Sequence, residues 1–156
     1  MKIVIIFGTR PEAIKLGPVV AALRDEGIDL AIVCTGQHTT LLHGTPAETD
    51  LRGATSLALP STGEIWDWTL RAAGALTDVL VTLGATDVMV QGDTMSALAG
   101  ARAAVLLGLP LHHVEAGLRS HDLASPYPEE LIRTEIASHA TWHYAPTQTA
   151  RANLVV

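Results

Sequence analysis

The chain holds a single cysteine, Cys34, so no intrachain disulfide can form, and this suits a reducing compartment. Aromatic residues make up only 4% of the 156 while 48% are hydrophobic, so the core has to be assembled from small and aliphatic side chains. No run of Lys or Arg occurs, and 10 Lys+Arg face 16 Asp+Glu for a net charge of −6. Nucleic acids and anionic membrane surfaces demand clustered positive charge, so both are excluded as partners. Long apolar runs are missing too. Lys2 is followed by only five apolar residues, Ile3 to Phe7, far short of a signal-peptide core or a spanning helix, which predicts a cytoplasmic protein. Neither a Gly-Lys-Ser/Thr loop nor a Gly-x-Gly-x-x-Gly turn follows that run, which speaks against a Walker site and against NAD or FAD. A metal site needs three or four converging ligands, and the spacing of the seven histidines offers no such set, so no metal and no cofactor are expected. No repeat or Pro/Ser-rich linker marks a boundary, and residues 1–156 read as one domain, too short for a large two-domain enzyme.

What is present is an alternation of short apolar runs with longer segments of helical period. It predicts strands over Lys2–Phe7, Leu30–Cys34, Ser56–Leu59, Asp87–Gln91, Leu111–Val114 and Trp142–Ala145. Most are apolar throughout, as strands are when helices cover both faces of a parallel sheet. Helices are predicted over Pro11–Glu26, Thr94–Leu107 and Pro128–His139, with a last one from near Thr147. Pro18 should kink or split the first. A further helix follows the capping-box pattern Ser61-Thr62-Gly63-Glu64, with Ile65, Thr69, Ala72, Leu76, Val79, Leu80 and Leu83 as its buried stripe and Gly84 as its stop. Thr35–Thr55 reads as loop with one weak helical turn. The expected fold is α/β, a doubly wound parallel sheet with helices on both faces.

Ligands of such sheets collect beyond the carboxyl ends of the strands. After the first strand come Gly8-Thr9-Arg10-Pro11-Glu12, with Lys15 one turn into the helix, an arrangement suited to a phosphate or, more plainly, an ordinary strand-to-helix turn. Asp93 follows the fourth strand and could serve as a helix cap. Glu115 follows the fifth strand, where no capping or turn preference explains it, and Pro128-Glu129-Glu130 open the next helix with acids at its positive end. Cations beside carboxylates on one edge suit a phosphorylated or nucleotide-linked substrate in acid/base chemistry at carbon; the alternative is that they form structural salt bridges. Cys34 reads as a core residue, and Trp66 and Trp68 fit core packing or a subunit contact as well as ligand stacking.

In order and spacing, Gly8-Thr9-Arg10-Pro11-Glu12-Ala13-Ile14-Lys15, Thr35-Gly36-Gln37-His38, Gly92-Asp93-Thr94, His113-Val114-Glu115-Ala116-Gly117-Leu118-Arg119 and Ser125-Pro126-Tyr127-Pro128-Glu129-Glu130 closely resemble the UDP-N-acetylglucosamine 2-epimerase family. The resemblance covers the amino-terminal half of a GT-B arrangement, in which two Rossmann-like domains face each other across a cleft. It implies interconversion of UDP-GlcNAc and UDP-ManNAc without metal or nicotinamide, by elimination and re-addition of UDP. It makes Asp93, Glu115 and Glu129 the catalytic carboxylates, places Arg10, Lys15, His113 and Arg133 in substrate binding, and puts Gln37 and His38 in a loop that touches an activating UDP-GlcNAc in some members. Thr39 and Thr40 replace larger polar residues in that loop, and Ile132 stands where the last motif carries Asn. Further implications are a homodimer, a separate second nucleotide-binding domain as partner, and exposed apolar surface near the last helix. A non-catalytic nucleotide-sugar binding or assembly module or truncated fragment, and a hydrolysing epimerase that releases free ManNAc, are the alternatives of function.

Overall fold

A computed structural model describes residues 1–36, 44, 45, 47–57, 59 and 64–155. Its strands are β1 (Lys2–Phe7), β2 (Asp29–Cys34), β3 (Thr55–Ser56), β4 (Asp87–Gln91), β5 (Leu111–Val114) and β6 (Trp142–Tyr144). Between and after them run the helices α1 (Arg10–Asp25), α2 (Ala47–Asp50), α3 (Ile65–Leu83), α4 (Met95–Leu107), α5 (Glu129–His139) and α6 (Gln148–Ala152). All neighbouring strands pair in parallel, in the order β3-β2-β1-β4-β5-β6. That is a Rossmann-like doubly wound sheet, whose order reverses between β1 and β4.

Strand alternation sends the side chains of β1 to two separate cores. Val4 and Ile6 pack with α3, α4 and α5 residues on one face, and Ile3, Ile5 and Phe7 pack with α1 and α2 residues on the other. The scarcity of aromatics is resolved in α4, where Ala97, Ala99, Ala101, Ala103 and Ala104 are all fully buried. Side chains this small let one helix lie against the sheet with α3 and α5 beside it.

Some elements depart from the sequence expectation. Pro18 lies inside α1 without splitting it. Pro18 and Ile14, whose carbonyl loses its amide partner there, are both on the exposed face, where water can serve instead. β3 is only two residues long, since just Thr55 and Ser56 pair with β2 at the sheet edge. Ser61, Thr62 and Gly63 lie outside the described residues; α3 starts at Ile65, with Glu64 as an extended N-cap that makes no side-chain capping bond. Ile65 is exposed rather than part of the stripe, whereas Thr69, Ala72, Leu76 and Leu80 are buried and Gly84 ends the helix in the left-handed conformation. Ile132 is 1% exposed and packs in the core with Ile136, so the departure from Asn at this position falls in the apolar interior.

Helices α1 and α2 cover only one half of their sheet face. Over the other half Trp142 and Tyr144 are exposed, and a groove of about 210 Å3 runs between Val19 and Leu23 of α1 and Met89, Val114 and Tyr144 of the sheet. Among the described residues no helix is long and apolar enough to cross a membrane.

Candidate active site

The carboxyl ends of β1, β4 and β5 bring three polar turns together at the switch point. The first is built by the capping box Thr9-x-x-Glu12: Glu12 Oε2 accepts from the backbone N–H groups of Gly8 (3.1 Å) and Thr9 (2.7 Å). Gly8 is required there, because a Cβ at this position would stand 1.9 Å from Ser96 Oγ and 2.5 Å from Thr35 Oγ1. These two hydroxyls are themselves hydrogen-bonded at 2.6 Å, so the β1 turn lies directly on the start of α4. Arg10 opens α1 as an exposed guanidinium with no side-chain partner among the described residues. One turn on, Lys15 Nζ donates to Glu115 Oε2 at 2.6 Å.

Glu115 has a left-handed backbone, φ 64°, which a residue with a Cβ rarely adopts. It is half-buried, and its Oε2 also accepts from Gln91 Nε2 at the end of β4, leaving Oε1 without a partner among the described residues. Asp93 does not cap α4. Thr94 does, accepting from the Ala97 N–H at 3.0 Å, and Asp93 instead pairs with Arg133 of α5. The same guanidinium lies 3.4 Å from Glu130 Oε2. Glu130 is 1% exposed; burial raises its pKa, but the Ser120 and His121 backbone N–H groups and Arg133 outweigh that and hold it below the usual carboxylate value. Glu129, the first residue of α5, is half-buried, and its carboxylate has no partner among the described residues.

The structure thus groups Lys15 with Glu115 and Arg133 with Asp93 on the same edge. His113 lies beneath this edge rather than on it. It is fully buried, Nε2 donates to the Gly92 carbonyl at 2.8 Å, and burial pushes the imidazole down to about 4. Gln37 and His38 fall outside the described residues. Sequence reasoning missed Glu12, Gln91, Thr94 and Glu130 as parts of the site. For Glu12 a signal exists, since Thr9-x-x-Glu12 has the same box pattern as Ser61-x-x-Glu64. Among the described residues no three His, Cys, Asp or Glu side chains converge as a metal site.

A doubly wound parallel sheet with acids and bases facing one another at its switch point places the chain among the Rossmann-like α/β proteins. The sequence model of UDP-N-acetylglucosamine 2-epimerase matches residues 21–156. The UDP-N-acetylglucosamine 2-epimerase of Escherichia coli K12 is 40% identical over 99% of the chain, and the chain spans 42% of that relative's length. The crystal structure of the UDP-GlcNAc 2-epimerase of Neisseria meningitidis bound to UDP-GlcNAc superposes with a TM-score of 0.93 at 35% identity, over 99% of this chain and 42% of that one. The enzyme of Methanocaldococcus jannaschii in complex with UDP-GlcNAc and UDP gives 0.87 at 37% identity, over 99% and 43%. The chain belongs to the UDP-N-acetylglucosamine 2-epimerase family.

Proposed function

We propose that this chain supplies the acid/base half of a UDP-GlcNAc 2-epimerase site, the other half coming from a second nucleotide-binding domain. The observation that carries the reading is the pairing of Lys15 with Glu115 and of Arg133 with Asp93 at one sheet edge, each carboxylate keeping its second oxygen unpartnered among the described residues. In the reaction a base removes the proton at carbon 2 while the carbon 1–oxygen bond to UDP breaks, giving an unsaturated 2-acetamidoglucal and free UDP. Re-addition of UDP at carbon 1, with a proton delivered to the opposite face of carbon 2, gives UDP-ManNAc. Proton removal on one face and delivery on the other need a base and an acid, which Asp93, Glu115 and Glu129 supply between them. Departure of UDP builds positive charge at carbon 1, which a fixed carboxylate stabilises, while Arg10 and Lys15 face the diphosphate. Arg133 keeps Asp93 in place, and His113 supports the Gly92 turn from below. The bare half-face around Trp142 and Tyr144 suits a further segment of a longer protein or a second copy, since exposed apolar surface of this kind marks contact sites.

The test is to incubate UDP-GlcNAc with the chain alone and with a separately produced second half, and to separate the products. The expected result is UDP-ManNAc from the mixture; free ManNAc would identify a hydrolysing enzyme with the same acids. Absence of any product from the mixture, together with no uptake of UDP-GlcNAc by calorimetry, would overturn the reading.

A further inference from the structure

Glu12 is a carboxylate with 1% exposure that takes no part in the chemistry proposed above. Its two oxygens serve different parts of the chain. Oε2 closes the capping box on Gly8 and Thr9, while Oε1 accepts from Thr94 Oγ1 at 2.7 Å, across 82 residues of sequence. Thr94 in turn caps α4 and follows Asp93 directly. A box that served only α1 would need no partner beyond Thr9. Burying a carboxylate is costly, and burial does raise the pKa of Glu12 against its hydrogen bonds with Thr94, Thr9 and Gly8. A neutral residue would fill the place more cheaply if filling were all that mattered.

We infer that Glu12 is a positioning residue: its buried carboxylate ties the turn that opens α1, with Arg10 and Lys15, to the turn that opens α4, with Asp93, and so fixes the separation of cations and acid across the switch point. The link is a property of the chain alone; its consequence for the substrate rests on the epimerase reading. Glu12→Gln preserves the geometry, because the amide oxygen can accept from Gly8 and Thr9 while the amide NH2 donates to the free lone pair of Thr94 Oγ1. Thr94→Ser keeps the hydroxyl, Thr94→Val removes it, and Glu12→Ala removes the carboxylate.

The experiment is amide hydrogen exchange followed by NMR on the full chain, with UDP-GlcNAc titrated into each variant. In Thr94→Val the amides of Gly8 and Thr9 should exchange about tenfold faster relative to Ile5 in β1, the cost of loosening one charge-assisted hydrogen bond. Scaling to Ile5 removes the general destabilisation caused by the lost α4 cap. Thr94→Ser should match the parent, both in exchange and in affinity for UDP-GlcNAc. Glu12→Gln, whose bonds to Gly8 and Thr9 are neutral, should fall between the parent and Thr94→Val, and Thr94→Val and Glu12→Ala should bind about tenfold more weakly. If Glu12→Ala does not fold, the Thr94 pair decides. Gly8 and Thr9 amides unchanged in Thr94→Val, with effects confined to the start of α4, would overturn the inference. A parent chain that takes up no UDP-GlcNAc would count instead against the epimerase reading, leaving the exchange result to judge the link.

Discussion

Lys15 and Glu115, 100 residues apart in sequence, meet at 2.6 Å across the point where the strand order reverses. The pair is half-exposed on the lysine side, and such pairs contribute only about 0–1 kcal/mol to stability. The left-handed backbone of Glu115 costs about 1–2 kcal/mol. The pairing alone therefore does not offset the strain that carries it, which fits the proposed role of Glu115 in the chemistry.

Replacing Glu115 by glycine separates those two roles. Glycine relieves the strain at φ 64° and loses some of that gain to its own unfolded-state entropy, so the variant should be as stable as the parent or up to about 1 kcal/mol more stable in urea unfolding. Epimerisation by the assembled enzyme should fall by at least about a hundredfold. A destabilised variant would show that the carboxylate is mainly structural.

His113 makes stability fall with acid. Its folded pKa, about 4, is below the ordinary value of 6.5, so between these pH values the unfolded chain binds more protons than the folded one. Its contribution is complete above pH 6.5 and is lost as pH falls toward 4, by roughly 3 kcal/mol in all. Urea unfolding of the parent and of His113→Gln between pH 7 and 4.5 checks this, and the glutamine variant should show a visibly shallower decline.

Gly8→Ala forces a methyl group against Ser96 and Thr35, whose hydroxyls are buried and bonded to each other. We expect a loss of about 1–3 kcal/mol by thermal or urea unfolding, with a larger proportional loss of UDP-GlcNAc uptake because Arg10 and Lys15 move with the turn. A neutral effect on both would mean that this turn is loosely seated.

Ile132→Asn restores the residue of the family motif and should be unfavourable. Position 132 is 1% exposed among aliphatic neighbours, and an amide buried there without partners costs about 1–3 kcal/mol on top of the lost apolar contact. A stability gain on denaturation would contradict the placement of this side chain in the core.

The sheet was legible in the sequence because its central strands are continuous apolar runs bounded by polar turns, and β1, β4 and β5 have the limits their composition predicts. Segments governed by neighbours were not legible. The length of β3 depends on how far β2 offers pairing at the edge, and the continuity of α1 depends on Pro18 facing solvent. In the site, the acids and cations at strand ends could be picked out one by one, since topology alone brings strand ends together. Their partners could not. Nothing local marks Glu12 for Thr94 or Arg133 for Asp93, and the burial of His113 follows from which face of β5 α4 covers.

In the proposed mechanism Asp93, Glu115 and Glu129 exchange the proton at carbon 2. The most direct test is the deuterium content at that carbon when the chain and a second nucleotide-binding half turn over UDP-GlcNAc in deuterated water. UDP-ManNAc should be fully deuterated at carbon 2, with incorporation slowed by at least about a hundredfold in Asp93→Asn, Glu115→Gln and Glu129→Gln. Product that keeps its original proton, or incorporation untouched by all three substitutions, would contradict it.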